Sequence, residues 1–334
     1  MLLNWNGAAW LRQFLPGVVA HSPEATIIVI DNASTDDSVA LLRADFPTVE
    51  VVVHPENLGF CDGYNRALAP LEGRFGAYLL LNTDVEVTPG WLRPLLARLK
   101  SAPDVAAVQP KIRAFADKTA FEYAGAAGGL IDAYGYPFCR GRVFDSLEKD
   151  TGQYDDARPV FWATGACILV RATAWHALGG LESRFFAHME EIDFCWRAHL
   201  AGWTVWAEPA SVVYHVGGGT LHKSNPRKTY LNFRNGLALL LKNLHRSELP
   251  GTLAARLLLD WLAAARWLAT GEFGEVRAVL RAHWHVLRGL NYWRAKRRAN
   301  PPLKKLTDLP GVYRGSLVQA YFGSEKKTAA EIYR

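Results

Sequence analysis

The densest chemistry in the sequence is Glu190-Glu191-Ile192-Asp193, three carboxylates within four positions, flanked by Phe185-Phe186 and Phe194-Cys195-Trp196. At a helix N-terminus the dipole offsets the mutual repulsion of such acids. Apolar flanks and like charges raise at least one of their pKa values, which suits a general base. An exposed acidic first turn is the plainer use of the same residues. Asp84 closes the apolar run Leu79-Leu80-Leu81 through Asn82-Thr83. A single Asp at a strand edge can bind Mg2+ or Mn2+ with help from diphosphate oxygens and water, or simply cap a turn. His215 ends another strand-like run, ahead of Gly217-Gly218-Gly219. It suits a metal or a phosphate, although a lone histidine is more often structural.

Two further stretches suit a nucleotide. In Asp31-Asn32-Ala33-Ser34-Thr35-Asp36 a side-chain oxygen of Asp31 or Asn32 can accept from the imide N–H of a uracil or thymine ring; an Asx turn with an N-cap uses the same residues. In Asn57-Leu58-Gly59-Phe60-Cys61-Asp62-Gly63-Tyr64-Asn65-Arg66 the glycines permit close backbone approach, and N–H groups opening a helix suit a phosphate. It is neither a Walker loop nor G-x-G-x-x-G. The basic stretch His222-Lys223-Ser224-Asn225-Pro226-Arg227-Lys228 is expected to be the tip of a mobile loop that closes over a diphosphate.

These residues need a scaffold that gathers them. Apolar runs at 26–30, 49–54, 77–81 and 105–109 predict strands, and 9–20, 36–44, 63–71 and 91–100 predict helices between them. Alternation of this kind, with wholly apolar strands, indicates an α/β fold on a mostly parallel sheet, which binds ligands at the strand C-termini. Residues 111–160, rich in Gly, Tyr, Asp and Pro, read as an extended or hairpin-containing excursion. Beyond it, strands are expected at 166–170, 203–207 and 212–215, and helices at 172–178 and 191–201. After Tyr230 the chain reads as mostly helical.

Half of the 334 residues are hydrophobic and 21% are charged, which excludes disorder over most of the length. The four cysteines, Cys61, Cys139, Cys167 and Cys195, lie too far apart for a disulfide scaffold or a cysteine zinc site, and read as reduced thiols of a cytosolic protein. The opening residues carry no signal-peptide pattern, and no uncharged apolar run reaches the roughly 18 residues of a membrane span. Between Lys242 and Lys305 stand thirteen Lys/Arg against four Asp/Glu, so the overall charge of +6 belongs to this end. Tyr292-Trp293-Arg294-Ala295-Lys296-Arg297-Arg298 within it suits a lipid headgroup layer, or a solvated basic face. No partner of nucleic-acid type is indicated.

In this order the motifs resemble family 2 glycosyltransferases of the GT-A fold, in particular the bacterial rhamnosyltransferase-like branch. The matches are Leu3-Asn4-Trp5-Asn6-Gly7, residues 31–36, Asn57-Leu58-Gly59-Phe60, Leu81-Asn82-Thr83-Asp84, Thr164-Gly165-Ala166, Gly179-Gly180-Leu181, Phe185-Phe186, residues 190–193, Tyr214-His215 and Arg234-Asn235. The resemblance spans residues 1–243: a nucleotide-binding half to 110 and an acceptor and catalytic half from 111. Residues 244–334 correspond to a basic, Trp-rich helical tail.

The resemblance implies an inverting transfer from a nucleotide-diphosphate sugar, dTDP-rhamnose or a UDP-sugar, to a hydroxyl of a glycan or lipid-linked acceptor, during cell-surface polysaccharide synthesis. Asn4, Asn6, Asp31 and Asn32 would line the base and ribose pocket, with Asn57, Gly59, Phe60, Asn65, Asn82 and Thr83 also on the donor side. Asp84, with His215 as a second ligand, would hold a divalent cation, Mg2+ or Mn2+. Glu191 aligns with the base, beside Glu190 and Asp193, and Trp162 and Gly165 would form the acceptor side. The expected location is the cytoplasm, peripheral on the inner face of the membrane through the tail. A non-catalytic nucleotide-sugar-binding or membrane-docked module is the alternative. Four departures stand out: few residues precede Asn4, so the first strand is short or the true start lies upstream; Asn82 replaces the first Asp of D-x-D; Glu191 stands where Asp is common; and Cys61-Asp62 replaces a small pair. A pyrophosphorylase would need a basic glycine-rich loop after the first strand, and a glycoside hydrolase two separated carboxylates; neither is present.

Overall fold

The computed structural model describes residues 1–217 and 225–333. The first half alternates β1 (Leu2–Asn4), α1 (Ala8–His21), β2 (Ile28–Asp31), α2 (Ser38–Asp45), β3 (Glu50–Val53), α3 (Gly59–Leu68), β4 (Ala77–Leu81), β5 (Val85–Val87), α4 (Leu92–Ser101) and β6 (Val105–Ala114). Every residue of β2 is buried, as expected of a central strand apolar on both faces. Ala8, Leu11, Phe14, Leu15 and Val18 recur at helical spacing and seat α1 on the sheet.

A small sheet follows, from β7 (Gly129–Asp132), β8 (Pro137–Cys139), β9 (Arg142–Val143) and β10 (Ser146–Leu147), which is the hairpin excursion expected for 111–160. The main sheet resumes with β11 (Arg158–Pro159), β12 (Cys167–Arg171), α5 (Ala172–Leu178), α6 (Glu190–Leu200) and β13 (Thr204–His215). Its order is β11-β13-β6-β12-β4-β1-β2-β3, with β5 on β13. β3, β2, β1 and β4 pair in parallel, as do β6 and β13, while β12 runs antiparallel between β4 and β6. An antiparallel strand presents its start where its neighbours present their ends. The edge that carries Asn4, Asp31 and Asn82 therefore also carries Gly165, just before β12.

Two strands differ from expectation. β6 continues past Gln109 through Lys111 and Arg113, because Lys111 reaches Asp150 at 2.9 Å and is neutralised where it is buried. The two short strands expected at 203–207 and 212–215 are one, with a register shift between Glu208 and Val212 that absorbs Pro209, Ala210 and Ser211 without ending the pairing to β6.

The chain closes with α7 (Pro226–Asn243), α8 (Leu249–Ala269), α9 (Phe273–Arg288), α10 (Leu290–Ala299), β14 (Val312–Tyr313) and α11 (Ala329–Ile332). The expected helical appendage thus runs to residue 299. The remainder returns: β14 pairs in parallel with β7, and Leu306, Leu317 and Ile332 join the main core. Tyr292 and Trp293, expected at a lipid surface, face inward. Trp293 packs on Phe185 with ring centroids 5.7 Å apart, and the Tyr292 hydroxyl donates to Glu182. All four cysteines are buried and unpaired. Among the described residues no helix is long and apolar enough to cross a membrane.

Candidate active site

The pairing of β13 with β5 sets His215 opposite Val85, and so beside Asp84. His215 Nε2 lies 3.2 Å from Asp84 Oδ1, and Nδ1 lies 3.3 Å from Glu122 Oε2. Burial disfavours the charged ring, but the adjacent carboxylates of Asp84 and Glu122 outweigh it and push its pKa up to about 10. Burial also opposes ionisation of Asp84, and the His215 contact overrides it, lowering that pKa. Asn82 Nδ2 stands 3.5 Å from the same imidazole nitrogen. A divalent cation at Asp84 Oδ1 would take the place of the Nε2 proton of His215, and the Glu122 carboxylate, 3.3 Å from Nδ1, stands where a carboxylate stands behind a ligating histidine. Among the described residues no three His, Cys, Asp or Glu side chains converge as a metal cluster. Ligand oxygens and water would therefore complete the coordination.

On the donor side, Asp31 is buried with Oδ1 accepting from Asn4 Nδ2 (3.0 Å) and Oδ2 from the Ser34 N–H (2.9 Å). Each carboxylate oxygen keeps a further lone pair. Asn4 is fully buried, and a Cβ on Gly7 would stand 2.4 Å from its Oδ1, so a side chain at Gly7 would displace the Asn4 amide. The same Cβ would lie 3.7 Å from Thr83 Oγ1, which places Asn4, Gly7 and Thr83 together. Asn6 Oδ1 accepts from the Thr35 N–H at 2.7 Å, and Asn57 Oδ1 from the Gly59 N–H at 2.9 Å. Gly59 has φ +74°, and a side chain there would strike the Phe186 ring. Phe60 N–H donates to Phe186 O at 3.3 Å, joining the start of α3 to the acid-bearing loop.

That loop is strained. Phe186, His188 and Met189 hold φ of 66°, 68° and 72°, left-handed values that cost on the order of 1 kcal/mol each for such residues. The strain turns the chain sharply into α6, whose first turn carries Glu190, Glu191 and Asp193. α7 holds the loop in place. Asn235, fully buried, donates from Nδ2 to the carbonyls of Phe185 (3.1 Å), Ala187 (2.9 Å) and His188 (2.7 Å). Arg234 adds bonds to the carbonyls of Arg184 (2.9 Å) and Phe185 (2.8 Å). Asn235→Leu keeps the volume, strips the Ala187 and His188 carbonyls of this donor and leaves the Phe185 carbonyl with Arg234 alone. It is expected to destabilise the protein by about 2 kcal/mol in urea unfolding and to lower kcat more than it weakens nucleotide binding. Unchanged stability would refute the clamp.

Glu190 and Glu191 each have a buried Oε2 with no hydrogen-bond partner. Burial pushes Glu191 up to about 7; burial and then the Glu191 charge push Glu190 well above the usual carboxyl range. A Cβ on Gly165 would lie 3.3 Å from the Phe60 ring and 3.9 Å from Glu190 Oε1. Ala166 O accepts from the Asn82 N–H at 2.9 Å. One short span thus links the end of β4, where Asp84 sits, to the acids of α6.

Four expected site residues do other jobs. Asp193 is fully buried and bonded to Arg197 (2.8 Å), Lys242 (2.8 Å) and Asn243 (2.7 Å); these cations outweigh burial and lower its pKa to about 2, so it is a structural counterion rather than a catalytic acid. Asn32 spends both amide hydrogens on Asn57 Oδ1 and Gly59 O, and locks that turn rather than offering its amide to a base. Asn65 bonds both backbone groups of Leu181, each at 2.8 Å. Trp162 is core: its Nε1 donates to Leu130 O at 2.9 Å, and its ring lies where a Gly129 side chain would. The basic segment 222–228 lies outside the described residues up to Ser224, and the closing loop expected there with it.

Glu122, Arg234, Asn235 and Lys242 enter the site without having been assigned a role from sequence. Arg234-Asn235 was visible as a motif; Glu122 sits in the aperiodic excursion and carried no signal. A cavity of about 510 Å3 at the opposite sheet edge, lined by Val18, Ile28, Leu79, Leu92 and others, holds none of the site residues.

Residues 3–171, half of the chain, match Glycosyl transferase family 2. N-acetylglucosaminyl-diphospho-decaprenol L-rhamnosyltransferase of Mycobacterium tuberculosis (strain CDC 1551 / Oshkosh) is 26% identical over 306 residues, covering 86% of this chain and 92% of the relative. GalNAc-T7, solved with UDP, GalNAc and Mn2+, shares the fold with a TM-score of 0.55 at 13% identity, over 91% of this chain and 58% of that one. The mannosyltransferase PcManGT from Pyrobaculum calidifontis, solved with GDP-Man and Mn2+, does so with a TM-score of 0.51 at 16% identity, over 90% and 85%. The fold is GT-A, the activity is sugar transfer, and the chain belongs to glycosyl transferase family 2.

Proposed function

We propose that this glycosyltransferase moves a sugar, with inversion, from a nucleotide-diphosphate donor, dTDP-rhamnose or a UDP-sugar, to a hydroxyl of a glycan or lipid-linked acceptor. The observation that carries the reading is the pairing, on one sheet edge, of the Asp84–His215 donor set with the Glu191 carboxyl, whose buried Oε2 has no hydrogen-bond partner. The rhamnosyltransferase relative, whose name gives a decaprenol-linked acceptor, supports the donor and acceptor classes.

Each part has a physical role. An acceptor hydroxyl is a poor nucleophile near neutral pH and needs a base within hydrogen-bond reach. Glu191, its pKa raised by burial, takes the hydroxyl proton as the oxygen attacks the anomeric carbon. A single displacement with one base inverts that carbon. Asp84 and His215 would hold the cation, which when bound offsets the charge growing on the leaving diphosphate. Asp31 and Asn4 bind and orient the base, and Gly165 leaves room beside Phe60 and Glu190 for the sugars.

A thermal-shift titration with UDP, dTDP, GDP and CMP, each with and without Mn2+, tests the donor site. A ligand that binds only the folded state raises stability, by about 2.7 kcal/mol at a hundredfold excess over Kd. The expected result is a Mn2+-dependent rise in Tm with UDP or dTDP, its metal dependence lost in Asp84→Ala. No rise with any nucleotide would overturn the assignment.

A further inference from the structure

The appendage exposes a face unlike the rest of the molecule. On α8, Leu258, Trp261 and Leu262 are 61, 50 and 57% exposed; on α9, Leu280, Trp284 and Leu287 are 47, 57 and 64% exposed. Spacings of three and four residues put each trio on one side of its helix. The two stripes adjoin, since the Trp261 and His283 rings meet edge to face with centroids 5.6 Å apart. Exposed Arg266, Arg277 and Arg288 stand on the same two helices, and the Arg288 guanidinium lies 5.7 Å over the Trp284 ring. Of the four acids between Lys242 and Lys305, Asp260 and Glu275 are buried and Glu248 accepts from the Leu306 N–H; Glu272 alone is exposed.

We propose that the α8–α9 face docks on an anionic lipid bilayer. Its Trp and Leu side chains enter the headgroup–acyl boundary while the arginines meet lipid phosphates. The charge pattern selects this occupant over a second copy of the chain. An isologous dimer through this face would set arginines against arginines, with only Glu272 to offset them. The face also has a path to the acids: the Tyr230 hydroxyl of α7 meets His285 of α9 at 2.6 Å, and α7 grips the loop before α6. The surface argument is independent of the donor and acceptor proposed above.

The test is co-sedimentation of the full chain with phosphatidylcholine vesicles, with and without phosphatidylglycerol. Binding to the phosphatidylglycerol vesicles, weakened by added salt, is expected. The double variant Leu262→Glu/Trp284→Glu is expected to lower the bound fraction about tenfold or more at unchanged Tm. Arg277→Gln/Arg288→Gln, which leaves the apolar stripe intact, is expected to lower binding to the anionic vesicles alone. Wild-type protein that binds neither vesicle would overturn the proposal, as would a double variant that binds like wild type. So would a wild-type dimer that the double variant dissociates in the absence of vesicle binding, since a second copy would then cover the face.

Discussion

Glu191→Gln is expected to lower kcat by roughly 10²–10⁴-fold, the contribution of a positioned general base, while leaving the nucleotide-induced rise in Tm intact. Glutamine keeps the volume and removes the proton acceptor. A base must be deprotonated to work, so wild-type kcat/KM should climb with pH through neutrality, where burial has moved this carboxyl, and the residual activity of the variant should lack that limb. Glu190→Gln is the control. Burial and the adjacent Glu191 hold Glu190 neutral, so glutamine imitates its working state and should cost less than about tenfold. Stability should move the opposite way from activity. A carboxyl whose folded pKa is raised binds its proton more tightly in the folded state, so it destabilises the fold increasingly as pH rises above its ordinary value. Glu191→Gln should therefore raise Tm near about pH 8 and leave it nearly unchanged near about pH 4. Unaltered kcat would remove Glu191 from the base role and leave the donor site standing.

The sequence made the parallel half of the sheet readable because its strands are apolar on both faces and stop abruptly at polar residues. Ala77–Leu81 followed by Asn82-Thr83-Asp84 is the clearest case, and strand and carboxylate both stand where expected. β6 was cut short because a buried Lys111 reads as a strand end unless its partner is known, and Asp150 lies in a stretch with no periodicity. The returning C-terminal segment was unreadable for a similar reason: β14 is two residues long and takes its stability from β7, far away in sequence.

At the site, residue types showed which chemistry was available but not which atoms were free to do it. Asn32, Asn65 and Asp31 look equally suited to a ligand on paper. Asn32 and Asn65 have spent their amides on turns, and Asp31 retains lone pairs. The acid cluster divides in the same way. Glu190 and Glu191 each have a buried Oε2 without a hydrogen-bond partner, whereas Asp193 has three partners. Only Arg197, four residues on and so on the same helix face, could have hinted at that division; Lys242 and Asn243 arrive from another helix.

Lys242→Met is expected to be the most destabilising single change near the site, lowering unfolding free energy by about 3 kcal/mol at neutral pH. Lys242 is buried between two carboxylates, 3.1 Å from Glu182 Oε2 and 2.8 Å from Asp193 Oδ2. Removing it leaves two buried acids short of a cation. Glu182 keeps Lys296 at 3.4 Å and the Tyr292 hydroxyl, and Asp193 keeps Arg197, which holds the loss to the lower end of the range for broken buried pairs. The pH dependence identifies the cause. Burial works against the Asp193 charge, but Lys242 and Arg197 outweigh it and depress its pKa to about 2. A depressed carboxyl contributes stability above its unfolded value of roughly 3.9, and that contribution fades as pH falls toward the folded one. Urea unfolding should therefore separate wild type from Lys242→Met widely at neutral pH and progressively less from about pH 4 downward. A gap that stayed constant into acid would mean that Lys242 supports the fold through its methylene packing against Phe185 rather than through charge. A gap that closes ties the acid-bearing helix α6 to α7 through the charges of Asp193 and Lys242.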